Sequence, residues 1–155
     1  MTEPVVGILV GSAADQKVMD EAGVILEKFG VPFEREVLSA LRDPNGVARY
    51  AARAEQRGLS VLIAGDSRGA HLPGALAAHT MLPVIGVPIA VPPLEGVDAL
   101  YSIVQTPKGV PVAAMALDGA ANAAVLAVQI LSLADSALRQ ALQTFKQQMA
   151  EGPRL

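Results

Sequence analysis

Ser39, Arg42 and Asp43 sit close together in the stretch Leu38-Ser39-Ala40-Leu41-Arg42-Asp43-Pro44. A hydroxyl beside a guanidinium on a short polar loop suits an anion, because the guanidinium offers a fixed charge and a planar fork of donors that matches a phosphate. The middle of this loop is Leu41, which has no group to ionise. Gly11, Ser12 and Asp15 form a second cluster, where free backbone N–H groups and a hydroxyl at the start of a helix suit phosphate. Asp15 has the wrong sign for phosphate but suits ribose hydroxyls. The third cluster, Gly65-Asp66-Ser67-Arg68-Gly69-Ala70-His71, carries ionisable groups of both signs.

Each feature also has a plainer reading. Gly-Ser after a strand is commonly a turn with a cap, Asp15 is equally an N-cap, and a single arginine such as Arg42 is commonly a surface residue. His71 precedes an apolar Leu-Pro, which suits a hydrogen-bonded structural histidine, and His79 lies inside a helix. The chain has no G-x-G-x-x-G and no G-x-x-x-x-G-K-[ST], so neither a dinucleotide fingerprint nor a P-loop is present. A phosphorelay receiver needs an acidic pair after the first strand and a lysine on the fifth. Here the first strand ends in Val10-Gly11-Ser12 and the fifth has no lysine, which excludes that class despite Asp66.

These clusters follow short apolar runs. Val5–Val10, Phe33–Leu38, Val61–Ala64, Val84–Val87 and Val112–Ala116 read as strands. Four are continuously apolar, as for strands buried on both faces of a parallel sheet, whereas Phe-Glu-Arg-Glu-Val-Leu alternates and marks an edge. Helical periodicity fills the gaps. Asp15–Phe29 is apolar at Val18, Met19, Ala22, Ile25, Leu26 and Phe29, with Asp15 as cap and Gly30 as stop. Asp43-Pro44 opens a second helix that Gly58 closes. Further helices are expected after Pro73, over 96–105 and over 120–132. Strands alternating with helices predict a doubly wound parallel α/β sheet in three layers, with the flavodoxin-like strand order. Ligands of such sheets sit beyond the carboxyl ends of the strands, which directs attention to loops 11–15, 39–44, 65–74, 88–96 and 117–122.

A last helix over about 134–150 carries Ala134, Leu138, Ala141, Leu142, Phe145 and Met149 on one face. It comes after the core over about 4–132 is complete, and is expected to serve assembly or to pack across its own sheet. The chain has 155 residues, the size of one domain spanning 1–155. Hydrophobic residues make up 52% and charged residues 17%, so the chain buries a large core. A mean hydropathy of +0.40 is high for a lone soluble domain and points to burial between subunits. The net charge is −3 and there is no basic run, which argues against a nucleic acid polymer as partner. The absence of cysteine excludes disulfides and thiolate chemistry. No apolar run is long enough to span a bilayer, so no membrane partner is expected, and the cytoplasm is the expected location.

In order, the segments VGILVGSAAD, SALRDP, AGDSRGAHLPG, LPVIGVP, LEGVDALYSIVQTPKGVPVA and GAANAAVLA make the chain resemble the class I N5-carboxyaminoimidazole ribonucleotide mutases of purine biosynthesis. The resemblance covers about residues 4–132. It implies a flavodoxin-like homo-octamer with no metal or organic cofactor, an active site between subunits, and a ribonucleotide substrate whose carboxylate moves by way of CO2. The family motif G-S-x-S-D is matched at Gly11, Ser12 and Asp15, with Ala14 in place of the second serine. The motif S-A-H-R-T-P is matched at Ser39, Ala40, Arg42 and Pro44, so the resemblance assigns the phosphate to Arg42. Leu41 stands where the family has the histidine that handles the proton at imidazole C4. In A-G-A-G-G-A-A-H-L-P-G, Asp66, Ser67 and Arg68 replace an alanine and two glycines, and their side chains are expected to enter the space of the substrate's base. The resemblance makes Gly11, Ser12, Asp15, Ser39, Arg42, Gly65 and Arg68 candidate substrate contacts. His71 and Asp66 are the candidate replacement acid/base groups. The implied activity is carboxylate transfer from N5 to C4. The alternative is a diverged paralogue that carboxylates or decarboxylates a related nucleotide, or that binds a phosphorylated ligand without turnover.

Overall fold

The computed structural model describes residue 3 and residues 5–152; Met1, Thr2, Pro4 and residues 153–155 lie outside them. Five parallel strands form one sheet: β1 Val6–Val10, β2 Phe33–Val37, β3 Val61–Ser67, β4 Val84–Ile89 and β5 Ala113–Ala114. Their order is β2-β1-β3-β4-β5, the flavodoxin-like arrangement. The helices are α1 Gln16–Lys28, α2 Pro44–Ala54, α3 Leu72–His79, α4 Val97–Val104, α5 Ala120–Leu131 and α6 Ser136–Glu151.

The pleat divides the apolar residues between two cores. Val6, Ile8 and Val10 of β1, with Val61 and Ile63 of β3 and Ile85, Val87 and Ile89 of β4, face Met19, Ala22, Ile25 and Leu26 of α1 and the alanines of α5. Leu9, Leu62, Ala64 and Val84 point the other way, against Val47, Ala51 and Ala54 of α2 and Leu72 and Leu76 of α3. Alanine-faced helices come close to the sheet, as at Gly7. A Cβ there would lie 2.5 Å from the Tyr50 hydroxyl.

The helix ends follow local chemistry. Asp43 accepts from the Gly46 N–H at 2.8 Å with Pro44 next to it, and Gly30 and Gly58 take φ of +67° and +92° beyond the ends they close. Two expectations are corrected. The fifth strand is two residues long, half exposed and at the sheet edge, because it pairs only with β4 and Pro111 just before it has no N–H to donate. β3 runs on to Ser67, because Asp66 and Ser67 still pair with Pro88 and Ile89. Of the two roles expected of the last helix, packing within its own chain is the one seen. Leu142 and Phe145 of α6 are buried in the α1/α5 core, and the Phe145 ring meets Phe29 edge-on with centroids 5.2 Å apart. Ala134, Ala141 and Met149 stay exposed, so the covered stripe is narrower than the periodicity implies.

Leu62 is fully buried in the centre of the α2/α3 core. Leu62→Ala is expected to lower the unfolding free energy by about 3 kcal/mol in a denaturant titration.

Candidate active site

The parallel register aligns Val10 with Val37 on one side and with Gly65 on the other. The chain therefore leaves β1, β2 and β3 at the same edge of the sheet, and the three loops meet there. They enclose a cavity of about 400 Å³ lined by Gly11, Ser12, Asp15, Ser39, Leu41, Arg42, Asp66, Arg68 and His71, among others. Of the expected site residues only Gly65 does not line it. Gly65 lies within β3, where its missing side chain makes room for the Met19 thioether. Loop 88–96 contributes Val91, whereas Asp118 of the fifth loop turns away and accepts from the Ala90 N–H at 2.9 Å.

One part of the cavity presents a guanidinium and two hydroxyls. The Arg42 Nη2 donates to the Gly11 carbonyl at 3.1 Å, which fixes the guanidinium against the end of β1, and the Arg42 N–H donates to Ser39 Oγ at 3.2 Å. Arg42 is in no ion pair among the described residues. Ser12 caps the turn at residues 13–15 by accepting from the Ala14 N–H at 3.3 Å. These bonds pre-arrange one charged and two hydroxyl side chains without using the guanidinium's remaining donors.

The other end holds two carboxyl groups joined by one residue. Asp15 is 2% exposed. It does not cap α1, as the sequence allowed; instead the Ser67 hydroxyl donates to its Oδ2 at 3.3 Å. The Ser67 N–H donates to Asp66 Oδ1 at 3.1 Å, and the Leu72 N–H donates to Asp66 Oδ2 at 3.0 Å. Asp66 thus closes loop 66–72 and satisfies the start of α3, while its carboxylate fills the position a Gly11 side chain would need. Burial raises the pKa of Asp15, and the Ser67 hydrogen bonds and the Arg68 charge only partly offset it. Burial also raises that of Asp66 and the Asp15 charge adds to it, against the Leu72 and Ser67 N–H bonds and His71. Ser67, which links the two carboxyls, was read in the sequence only as an intruder on the base's space. Its position at the end of a strand was the available signal. Asp66, Ser67 and Arg68 all line the cavity; Asp66 bonds within its own loop, the Ser67 hydroxyl reaches Asp15, and no Asp66–Arg68 ion pair closes the cavity among the described residues. Arg68 and Ala70 take left-handed φ of +56° and +41°, a conformation unusual for residues with a side chain and characteristic of functional loops. Leu41 is 74% exposed at the rim. Among the described residues no cluster of three acidic or histidine side chains fits a metal ion.

The family model for AIR carboxylase matches residues 5–152. The chain belongs to the AIR carboxylase family. It is 50% identical to the N5-carboxyaminoimidazole ribonucleotide mutase of Pyrococcus horikoshii, over 95% of this chain and 83% of that one. It is 49% identical to the mutase of the same name from Synechocystis, over 94% of this chain and 83% of that one. The crystal structure of Treponema denticola PurE superposes with a TM-score of 0.86 at 25% identity, covering 96% of this chain and 92% of that one. Within this AIR carboxylase family frame, Leu41 and the Asp66-Ser67-Arg68 run are the features that set the site apart from the motifs it resembles.

The raised carboxyl pKa values have a consequence for stability. In the pH window above the ordinary aspartate value of 3.8 the folded state holds more protons at Asp66 than the unfolded chain does. Stability therefore falls as pH rises through that window, and the loss is complete above the folded-state pKa. Asp66→Asn removes this titration, so the stability gap between wild type and variant should move against the wild type from pH 3.5 towards neutral in parallel denaturation curves. A gap that does not vary with pH contradicts the assignment.

Proposed function

We propose that this protein moves a carboxylate from the exocyclic nitrogen to C4 of an aminoimidazole ribonucleotide; the relatives it matches are named N5-carboxyaminoimidazole ribonucleotide mutase. The observation that supports this best is a single cavity with an anion end and a titratable end, in a chain that matches the family over its described length. The 5′-phosphate takes the free donors of Arg42 with Ser39 and Ser12. The ribose hydroxyls face Asp15. The imidazole lies towards loop 66–71. Because the product is an isomer of the substrate, the reaction needs no net oxidant or reductant. Carbon dioxide released from nitrogen has only to stay in the cavity until C4 attacks it.

Leu41 favours a second reading. A proton-transfer group cannot be supplied by an alkyl side chain that is 74% exposed at the rim. On that reading the protein is a diverged paralogue that carboxylates or decarboxylates a related nucleotide, or holds it without turnover. An assay with N5-carboxyaminoimidazole ribonucleotide separates the two, following both the C4-carboxylated isomer and free aminoimidazole ribonucleotide. Isomer formation well above the uncatalysed rate supports the first reading. Binding without isomer supports the second. Arg42→Ala is expected to raise the nucleotide Kd roughly 30-fold, as for a lost charge-assisted hydrogen bond. Unchanged binding contradicts the phosphate assignment under both readings.

We also propose a homo-octamer acting in the cytoplasm. The described surface carries bare apolar side chains, Met81 at 91%, Tyr101 at 63% and Leu133 at 78% exposed, and among the described residues no helix is long and apolar enough to cross a membrane. Light scattering is expected to give about eight times the 16.0 kDa chain mass, and the mass of one chain contradicts assembly.

A further inference from the structure

Transfer of a carboxylate from nitrogen to carbon moves a proton whatever the enzyme. The nitrogen gains a hydrogen as its bond to the carboxyl carbon breaks and CO2 leaves. C4 loses its hydrogen once its own bond to CO2 has formed. One group that gives the first proton and takes the second keeps the balance, and position 41 holds no such group.

We propose that His71 is the catalytic residue that carries this proton, with Gly69 and Asp66 as the residues that position it; this rests on the carboxylate-transfer reading above. His71 lines the cavity from the start of α3, is exposed, and makes no capping hydrogen bond to the helix. It is in no ion pair among the described residues, so its ring is free to exchange a proton with a ligand. The ring lies over Gly69. A Cβ built on Gly69 would stand 2.6 Å from the ring Cε1 and 3.0 Å from Nδ1, so any other residue at 69 forces the imidazole elsewhere. The motif that the loop resembles has alanine at this place. The chain thus lacks the rim histidine and has, in the next loop, the one side-chain deletion that gives His71 its present seat.

Asp66 fixes the loop from below. It receives the N–H of Leu72, the residue directly after His71, and the N–H of Ser67, and its charge acts on His71. The Ser102 hydroxyl bonds the Gly69 carbonyl from α4, and the left-handed Arg68 and Ala70 are held between these anchors. The charged groups around the cavity are Asp66, its neighbour Asp15 across Ser67, Arg68 on the same loop and Arg42 on the opposite one. His71 and Asp66 thus share the cavity with Arg42 from a different loop.

The test uses the full chain and N5-carboxyaminoimidazole ribonucleotide. His71→Gln is expected to lower kcat at least about 100-fold with KM little changed, and to remove the limb of the pH–rate profile that lies near neutral. Gly69→Ala should lower kcat by a similar factor while His71 is still present. Leu41→His in the His71→Gln background should restore part of the lost rate, and His79→Gln should change nothing. Because the chain has only two histidines, their ring NMR signals give a readout that does not depend on turnover. Aminoimidazole ribonucleotide should shift the His71 signals and leave those of His79 in place. A His71→Gln enzyme that keeps the wild-type rate and pH profile overturns the proposal, and so does a nucleotide that leaves the His71 signals unmoved in an active enzyme. Failure of the functional reading looks different: the wild type itself then makes no isomer.

Discussion

The two carboxyl groups of Asp15 and Asp66, bridged by the N–H and hydroxyl of Ser67, are the contact on which the site depends. Burying acidic groups is unfavourable unless each oxygen finds a donor, and here the donors come from the loop that has to be shaped. Ser67 serves both carboxyls and Leu72 serves one, so opening loop 66–72 breaks hydrogen bonds to both. The same arrangement explains why residue 11 is glycine. The Asp66 carboxylate occupies the place where its side chain would go, and the end of β1 must come in close because Gly11 donates its N–H to the Gly65 carbonyl.

The sheet makes this geometry possible. Parallel strands with matched register deliver the ends of β1, β2 and β3 to one level, and the buried side chains on both faces keep them there. That rigidity supports a loop with two side-chain-bearing residues in left-handed conformation, each costing on the order of 1–3 kcal/mol. The loop's own hydrogen bonds, from the Ser67 and Leu72 N–H groups to Asp66 and from the Ser102 hydroxyl to the Gly69 carbonyl, hold that conformation on top of the packed core.

The cavity's two ends have different characters. The end that carries Arg42 relies on a backbone carbonyl, a guanidinium and hydroxyls whose positions follow from a strand end and two short turns. The other end relies on an acid at 66 and a bare backbone at 69, with the alkyl Leu41 at the rim. A family fold can keep its anchoring chemistry while the reacting end is rebuilt, because the anchor belongs to the sheet and the reacting groups belong to loops.

Much of this was legible along the chain. Continuous apolar runs announced strands buried on both faces, the alternation of Phe33–Val37 announced an edge, and Asp43-Pro44, Gly30 and Gly58 marked helix ends through local hydrogen bonds and backbone conformation. The loops that would meet followed from parallel topology alone. What only the folded chain decided are pairings between residues far apart in sequence. Asp15 looks like a helix cap because a cap needs only its own neighbours, yet its partner is Ser67, 52 residues away. Gly65 looks like a loop glycine until β4 extends the strand past it, and the last helix looks spare until Phe145 meets Phe29. The seat of His71 over Gly69 depends on the left-handed turn between Arg68 and Ala70, which spacing along a chain does not encode. Sequence settles what each residue can do and which elements form, because those are local matters of hydrogen bonding and burial. Tertiary structure settles which groups share a dielectric, a proton or a cavity, because that depends on distance in space.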